Sequence, residues 1–149
     1  MNDSSIGREQ ILAMIPHQGG MCLWDRVLDW DAESIRLQAG THRDPAHPLR
    51  ADGRLHAVHL CEYGAQAMAV HGGLLARESG ASAPPGMLVA LRGVELHVAR
   101  IDGLAGDLDC EAQVLARSAA SQQYGFRIQH GEVLLAEGRA AVMLGAAGG

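Results

Sequence analysis

The chain has 149 residues, 48% of them hydrophobic and 19% charged, which is typical of one globular domain with its own core. Its formal net charge of −5 argues against nucleic-acid binding, which requires a basic face. All 12 basic residues besides histidine are arginines, and without lysine the chain has neither a Schiff-base residue nor a P-loop.

The first part of the chain predicts a short helix, two strands and a loop. Residues 4–16, SSIGREQILAMIP, carry apolar side chains at helical spacing and end in proline. Residues 21–31, MCLWDRVLDWD, are predicted to form a strand, and residues 34–41, SIRLQAGT, alternate apolar and polar side chains like a half-buried strand. The Pro, Asp and Gly content of residues 42–54 indicates a loop.

The second part predicts one long helix followed by a set of strands. Residues 55–77 are apolar nearly all round, which indicates a central buried helix. After a loop over residues 78–86, strand patterns cover residues 87–93, 94–101, 106–118, 122–129 and 132–144. The last two flank a His130-Gly131 turn and predict a hairpin. We therefore expect a single α+β domain over residues 1–144, with a flexible tail at residues 145–149.

Glu62 is the one acidic residue of the predicted central helix. Its neighbours Leu60, Cys61, Ala65 and Met68 are apolar or small. Burying a charge is costly, so either the helix exposes this carboxylate or a site uses it. Burial raises the pKa of a carboxyl group, and a buried glutamic acid at this position would keep its proton near neutral pH and act as an acid.

Two segments resemble the bacterial 3-hydroxyacyl-ACP dehydratases. Residues 11–31, ILAMIPHQGGMCLWDRVLDWD, are similar to their N-terminal signature, in which a Pro-His pair precedes a strand that ends in Asp-Arg-Val. Residues 60–73, LCEYGAQAMAVHGG, are similar to their central helix, in which a catalytic Glu is followed four residues later by Gln. The resemblance covers nearly the whole chain and implies a hotdog fold, in which a curved antiparallel sheet wraps one long central helix.

One feature of that family is missing. The fatty-acid enzymes carry their catalytic His in a His-Phe-Pro-Gly loop before the helix, whereas this chain has HPLRADGRLHAVH at residues 47–59. The chain most resembles the small dehydratase-like hotdog proteins of aryl-polyene and related polyketide clusters, which also lack that loop.

The resemblance implies that the protein is an enzyme, a lyase that dehydrates a 3-hydroxyacyl thioester on acyl carrier protein to the 2-enoyl thioester. The reaction needs a base that takes a proton from C2 and an acid that protonates the hydroxyl leaving C3. The resemblance gives the role of acid to Glu62. The candidates for the base are, in order, His17 of the Pro-His motif, His47, which precedes Glu62 by 15 residues, and then His56 and His59.

Further residues are expected to complete the site. Gln66, one turn beyond Glu62, would hold the carboxyl group by a hydrogen bond, and His59 would pair with Glu62 along the helix. The candidate substrate-binding residues are Met21, His47, His59 and Gln66. Trp24 and Met21 would line an acyl tunnel or pack in the core, and for them core packing is the favoured interpretation.

No metal or cofactor is expected. His56, His59 and Glu62 are three residues apart, so successive side chains drift round a helix instead of converging on one ion. The remaining histidines considered, His71, His97 and His130, are expected at the surface or in turns. Three cysteines without a CxxC pair predict reduced thiols in a cytoplasmic protein, and no apolar run is long enough for a membrane span.

Two other functions stay open from sequence. A hotdog thioesterase would use the carboxylate to activate water, and a dehydratase-like subunit without a base would bind the acyl chain and support an active partner. We expect a homodimer or a heterodimer with a second dehydratase. The acidic acyl carrier protein would dock on a locally basic surface, for which Arg92, Arg100 and Arg127 are the candidates.

Overall fold

The computed structural model of the protein describes residues 6–15, 18–80 and 86–144. These residues form the elements β1 (Ile6–Gly7), α1 (Arg8–Met14), β2 (Arg26–Trp30), β3 (Ser34–Ala39), α2 (Leu60–Glu78), β4 (Gly86–Leu96), β5 (Leu108–Arg117), β6 (Ser121–His130) and β7 (Val133–Leu144). Short 3-10 turns lie at Gly19–Met21, Thr41–Arg43 and Ala57–His59. The prediction of a short first helix, a long central helix and mostly C-terminal strands is confirmed.

All seven strands form one antiparallel sheet in the order β1-β2-β3-β5-β6-β7-β4. Helix α2 packs across its middle, over β3, β5 and β6. One long helix against an antiparallel sheet is the predicted α+β arrangement. The predicted tail at residues 145–149, like Pro16 and His17, lies outside the described residues.

The strand boundaries differ most from the predicted ones at two places, and the other strand ends differ by no more than two residues. The first predicted strand starts at Arg26 and not at Met21, because the side chain of Gln66 bonds the backbone of Met21 and Leu23, which therefore do not pair in the sheet. The two strands predicted over residues 87–101 are one strand, β4, which has a register shift between Arg92 and Glu95 and ends at Leu96, five residues earlier than predicted. The two-residue strand β1 was not predicted, since two residues carry no readable alternation.

The alternating strands bury the side chains that their pattern predicts. Ile35, Leu37 and Ala39 of β3 and Leu108 and Ala112 of β5 are completely buried against α2 or its neighbours. The opposite face of these strands carries polar side chains. Burying each large aliphatic side chain contributes about 1.5–3 kcal/mol, so this face fixes the register of the sheet.

Phe126 fills the space between α2 and β7. A Cβ atom on Gly64 of α2 would lie 2.8 Å from its ring, and one on Gly138 of β7 would lie 3.2 Å from it. An aromatic ring from β6 therefore occupies the room that the two glycines leave.

Strand β4 ends the sheet and leaves an apolar surface uncovered. Leu91 pairs with Ala140 and Leu96 with Ala136, so both leucines share the face of two almost completely buried alanines. Nevertheless Leu88, Leu91 and Leu96 are 40–41% exposed, because α2 lies over other strands. The free backbone edge of β4 and these leucines, here called the β4 surface, are the features that another chain can cover.

Candidate active site

Glu62 lies in the first turn of α2, where the carboxylate also faces the positive end of the helix. Its Oε2 atom is 3.7 Å from Nδ1 of His59, three residues earlier, as the expected pairing along the helix requires. The side chain of Glu62 is 50% exposed and that of His59 is 27% exposed. Of the two alternatives for Glu62, the single chain shows exposure by the helix and not burial, because α2 turns this position away from the sheet.

Gln66 does not bond Glu62, contrary to the prediction. The Gln66 side chain is buried, its Oε1 accepts a hydrogen bond from the Leu23 amide over 2.7 Å, and its Nε2 donates one to the Met21 carbonyl over 2.6 Å. Both the oxygen and the nitrogen of the side-chain amide thus bond backbone groups. Gln66 fixes the segment that follows the Pro-His motif to the helix, one turn beyond Glu62.

His47 is buried and both of its ring nitrogens have partners. The amide of Leu49 donates to Nδ1 over 3.1 Å, and Nε2 is 3.1 Å from the hydroxyl of Tyr63. Burial lowers the pKa of His47, so the ring is neutral near pH 7. The engaged nitrogens argue against the predicted roles of His47 as a base or a substrate-binding residue.

The other predicted site residues lie in different surroundings. His56 is exposed and precedes the 3-10 turn that leads into α2. Met21 is half-buried, and Trp24 is completely buried with its indole N–H donating to the carbonyl of Tyr63 over 2.8 Å. Core packing of Trp24 is thus confirmed. His17, the first candidate for the base, lies outside the described residues.

Two buried histidines escaped the sequence prediction. His71 of α2, expected at the surface, is completely buried: its Nε2 donates to the Asp31 carbonyl over 2.7 Å and its Nδ1 accepts from the Tyr124 hydroxyl over 2.6 Å. His42 is also completely buried and donates from Nε2 to the Leu104 carbonyl over 2.9 Å. Burial lowers the pKa of both. Helical spacing from Leu60 through Ala67 would have placed position 71 on the buried face.

The three arginines proposed for carrier docking differ in their charge environment. Arg100 forms a two-armed ion pair with Asp102, with N–O distances of 2.6 Å and 3.0 Å. Arg127 pairs across the sheet with Glu111 on one side and Glu137 on the other. Arg92 faces another arginine, Arg139, across the β4–β7 pair. Arg92 is therefore the candidate whose charge is least compensated by its strand neighbours.

The side of the sheet away from α2 carries its own polar features. A shallow groove of about 350 Å³ runs past Gly93, Gly125 and Arg139. Glu95 and Glu137 also line this groove, and possible metal-ligand atoms of Glu95, His97 and Glu137 lie within 4.8 Å of one another. All are on the opposite side of the sheet from Phe126 and α2, so they are separate from the surroundings of Glu62. Among the described residues no helix is long and apolar enough to cross a membrane.

Comparison with solved structures places this arrangement in the hotdog class. A chain of the dehydratase heterocomplex ApeI:P from Xenorhabdus doucetiae is 23% identical, with a TM-score of 0.83 over 93% of this chain and 92% of that chain. A hypothetical thioesterase bound to coenzyme A from Streptococcus pneumoniae is 9% identical, with a TM-score of 0.58 over 80% and 84% of the two chains. The PaaI protein of E. coli, from a phenylacetic acid degradation operon, is 17% identical, with a TM-score of 0.56 over 78% and 80%.

The family is defined by the sequence itself. Residues 9–146 match the model of the ApeP-like family, described as ApeP dehydratase, and the chain belongs to that family. No curated protein sequence matches the chain. The resemblance to dehydratase-like hotdog proteins of aryl-polyene clusters is thereby confirmed, and the thioesterase likeness rests on fold alone.

Proposed function

We propose that this protein dehydrates 3-hydroxyacyl thioesters carried on acyl carrier protein, in the cytoplasmic biosynthesis of an aryl polyene. The observation that carries the proposal is the position of Glu62 in the first turn of α2, one turn before Gln66, in a chain of the ApeP dehydratase family. Gln66 binds Met21 and Leu23, so the helix that presents Glu62 also holds the segment that follows the Pro-His motif in the sequence.

In the proposed reaction His17 accepts the proton of C2, which is acidified by the neighbouring thioester carbonyl. Glu62 donates a proton to the C3 hydroxyl, the C3–O bond breaks with its electron pair leaving on water, and the C2–H electron pair forms the C2=C3 double bond. Each correctly placed acid or base contributes about 10²–10⁴-fold to such a rate. The backbone N–H groups proposed to stabilise charge on the thioester oxygen are those of His56 and Val58, just before α2, because the amides of Leu55, Ala57 and His59 already donate to other acceptors of the chain.

We further propose that the active form is an assembly with a second dehydratase subunit on the β4 surface. Glu62 and the leucines of β4 are uncovered in the single chain, whereas proton transfer to a leaving hydroxyl is favoured in a site that excludes water. The similar Xenorhabdus chain comes from a heterocomplex of two dehydratase proteins, which supports a different chain, in preference to a second copy, as the partner.

The test is an assay on 3-hydroxyacyl thioesters of acyl carrier protein, with the products followed by mass. Glu62→Gln keeps the size of the side chain but removes the acid, so turnover should fall by about 10²–10⁴-fold with folding intact. His17→Ala should lower turnover by a similar factor. Glu78→Gln, at the exposed far end of the same helix, is the matched control and should retain the wild-type rate.

Other products would overturn the proposal in distinct ways. Free acid and free carrier thiol would identify a thioesterase. Absence of any product, both from the chain alone and with its dehydratase partner, would reject catalysis. Product that depends on the partner and is unaffected by Glu62→Gln would identify this chain as a supporting subunit.

A further inference from the structure

One chain of hydrogen bonds runs from the loop before α2 to the strand entry after the Pro-His motif. Its members are the Leu49 amide, the His47 ring, the Tyr63 hydroxyl, the Thr41 hydroxyl and the Leu23 carbonyl. The successive distances are 3.1, 3.1, 2.8 and 2.7 Å. His47 and Tyr63 are buried, so these groups depend on one another and not on water for their partners.

The two ends of this chain fix the direction of every bond in it. The Leu49 amide can only donate, so Nδ1 of His47 accepts and the proton of the neutral ring is on Nε2. At the other end the Leu23 carbonyl can only accept, so the Thr41 hydroxyl donates to it. Tyr63 then donates to Thr41 and accepts from Nε2 of His47. Burial raises the pKa of Tyr63 to about 12, so its donated proton stays in place near neutral pH.

Tyr63 is also held through its backbone and its ring. The indole N–H of Trp24 donates to the Tyr63 carbonyl over 2.8 Å, and the two rings meet edge to face with centroids 5.3 Å apart. Gln66 adds its two bonds to Met21 and Leu23. The backbone from Met21 to Trp24 is thus fixed to the first two turns of α2, and Tyr63 is the residue next to Glu62.

We propose that His47 is a positioning residue and not the base. The neutral His47 ring, with its proton on Nε2, orients the Tyr63 side chain. Tyr63 in turn holds the first turn of α2, which carries Glu62, against the segment that follows His17 in the sequence. A base at His47 would need a free lone pair, and its only lone pair accepts the Leu49 amide. Protonation would place two N–H groups against each other at that contact. The inference rests on the proposed dehydration for its kinetic test only.

Substitutions at His47 separate positioning from base catalysis. Glutamine places an amide N–H close to the position of Nε2, whereas asparagine can replace only the Nδ1 contact to Leu49. If His47 positions Tyr63, His47→Gln restores at least a third of the kcat, while His47→Asn and Tyr63→Phe each lower kcat about tenfold with little change in KM. The double variant His47→Asn/Tyr63→Phe loses no more than either single variant, because both remove the same bond.

A base at position 47 gives the opposite pattern. In that case His47→Gln lowers kcat by about 10²–10⁴-fold, as much as His47→Asn does, and Tyr63→Phe lowers kcat much less. Either result overturns the proposal. Glu62→Gln and His17→Ala are measured in the same series, so retention of turnover in those variants would reject the proposed function separately from the role of His47.

A second measurement does not depend on activity. Long-range ¹⁵N–¹H spectra of the ¹⁵N-histidine-labelled protein report which ring nitrogen carries the proton, and the His47→Gln variant assigns the signals. At pH 7 we expect His47 as the Nε2–H tautomer, with Nδ1 unprotonated. An Nδ1–H tautomer or an imidazolium at that pH would contradict the hydrogen-bond directions and overturn the inference even if the chain has no dehydratase activity.

Discussion

The hydroxyl of Tyr124 in β6 donates to Nδ1 of His71 in α2 across 2.6 Å within the core. The same ring donates from Nε2 to the Asp31 carbonyl at the β2–β3 turn. One side chain of the central helix therefore holds two separate parts of the sheet. The bond to Tyr124 is buried, so its loss leaves an acceptor that water does not reach.

Removing that hydroxyl should lower stability without changing the fold. Tyr124→Phe keeps the ring and deprives Nδ1 of His71 of its donor, which costs about 1–3 kcal/mol. Urea denaturation measures the change in the free energy of unfolding. Gln123→Ala, an exposed neighbour on the same strand, serves as control and should change that free energy by no more than about 0.5 kcal/mol. Equal effects of the two substitutions would contradict the role of the bond.

Stability should fall in mild acid because of three buried histidines. Burial lowers the pKa of His42, His47 and His71 in the fold, whereas in the unfolded chain each titrates near about 6.5. Below that pH the unfolded chain binds more protons than the folded chain, so acid favours unfolding. The free energy of unfolding should therefore decrease as pH falls from about 6.5 towards the folded pKa values, by at most about 1.4 kcal/mol per pH unit for each histidine.

Urea titrations between about pH 5 and 8 measure this slope, in the window set by the ordinary histidine pKa of about 6.5. His71→Gln removes one of the three protonation sites and should give a shallower slope, whatever its effect on stability at pH 8. A slope that is unchanged in this variant would show that His71 takes up no proton on unfolding.

Two glycines of α2 should respond in opposite directions to alanine. Gly64→Ala places a methyl group 2.8 Å from the Phe126 ring, and overpacking of this kind costs about 1–3 kcal/mol. Gly72→Ala meets nothing within 4 Å in this chain and should stabilise by about 0.5–1 kcal/mol through helix propensity. Thermal unfolding of the two variants at equal concentration measures both effects, and stabilisation by Gly64→Ala would refute the close packing of Phe126.

A charge on the β4 surface should weaken subunit assembly. Leu91→Asp places a carboxylate on the uncovered apolar face, and a buried unpaired charge is strongly unfavourable at an interface. Light scattering after size exclusion should then detect a smaller species, with circular dichroism unchanged. Leu115→Asp is the matched control, since Leu115 is 52% exposed on the side of the sheet away from α2. If the two variants assemble alike, the interface lies elsewhere.

The Arg92–Arg139 pair should contribute to carrier binding. Two like charges directly across a strand pair repel each other, and an acidic partner relieves that repulsion. Replacing both residues with alanine should raise KM for acyl carrier protein several-fold, leave kcat nearly unchanged and weaken the salt dependence of kcat/KM. Arg100→Ala should have a smaller effect, because Asp102 already neutralises Arg100. A larger effect of Arg100→Ala would indicate that the carrier docks at Arg100 and not at Arg92 and Arg139.

Alternation and helical periodicity sufficed to predict most of the fold. Ile35, Leu37 and Leu108 occupy the face that their pattern predicts, because side chains two residues apart lie on the same face of a strand and only one face of these strands is apolar. The start of β2 was less predictable. The backbone of Met21 and Leu23 bonds the Gln66 side chain and does not pair in the sheet. A hydrogen bond between residues more than 40 positions apart cannot be predicted from a local sequence pattern.

Of the contacts expected among the candidate site residues, the sequence predicted one and missed the others. Glu62 and His59 do lie within 3.7 Å of each other, as the spacing of three residues indicates. His47 and Gln66 are near the same helix turn, yet both bind neighbours that only the tertiary fold brings close. The half-exposed state of Glu62 follows from its position on the side of α2 that faces away from the sheet.

The ring of Phe126 has a consequence for the shape of any bound acyl tail. The ring closes the space between Gly64 and Gly138, so there is no room beneath the helix at this level. In the proposed reaction, a hydrocarbon tail extending from Glu62 would therefore leave by the helix flank that carries Cys61, Ala65 and Ala69, which the chain itself leaves partly open. The partner subunit that covers this flank would then form the opposite wall of the acyl-binding channel. The two subunits together would therefore determine which polyene lengths fit.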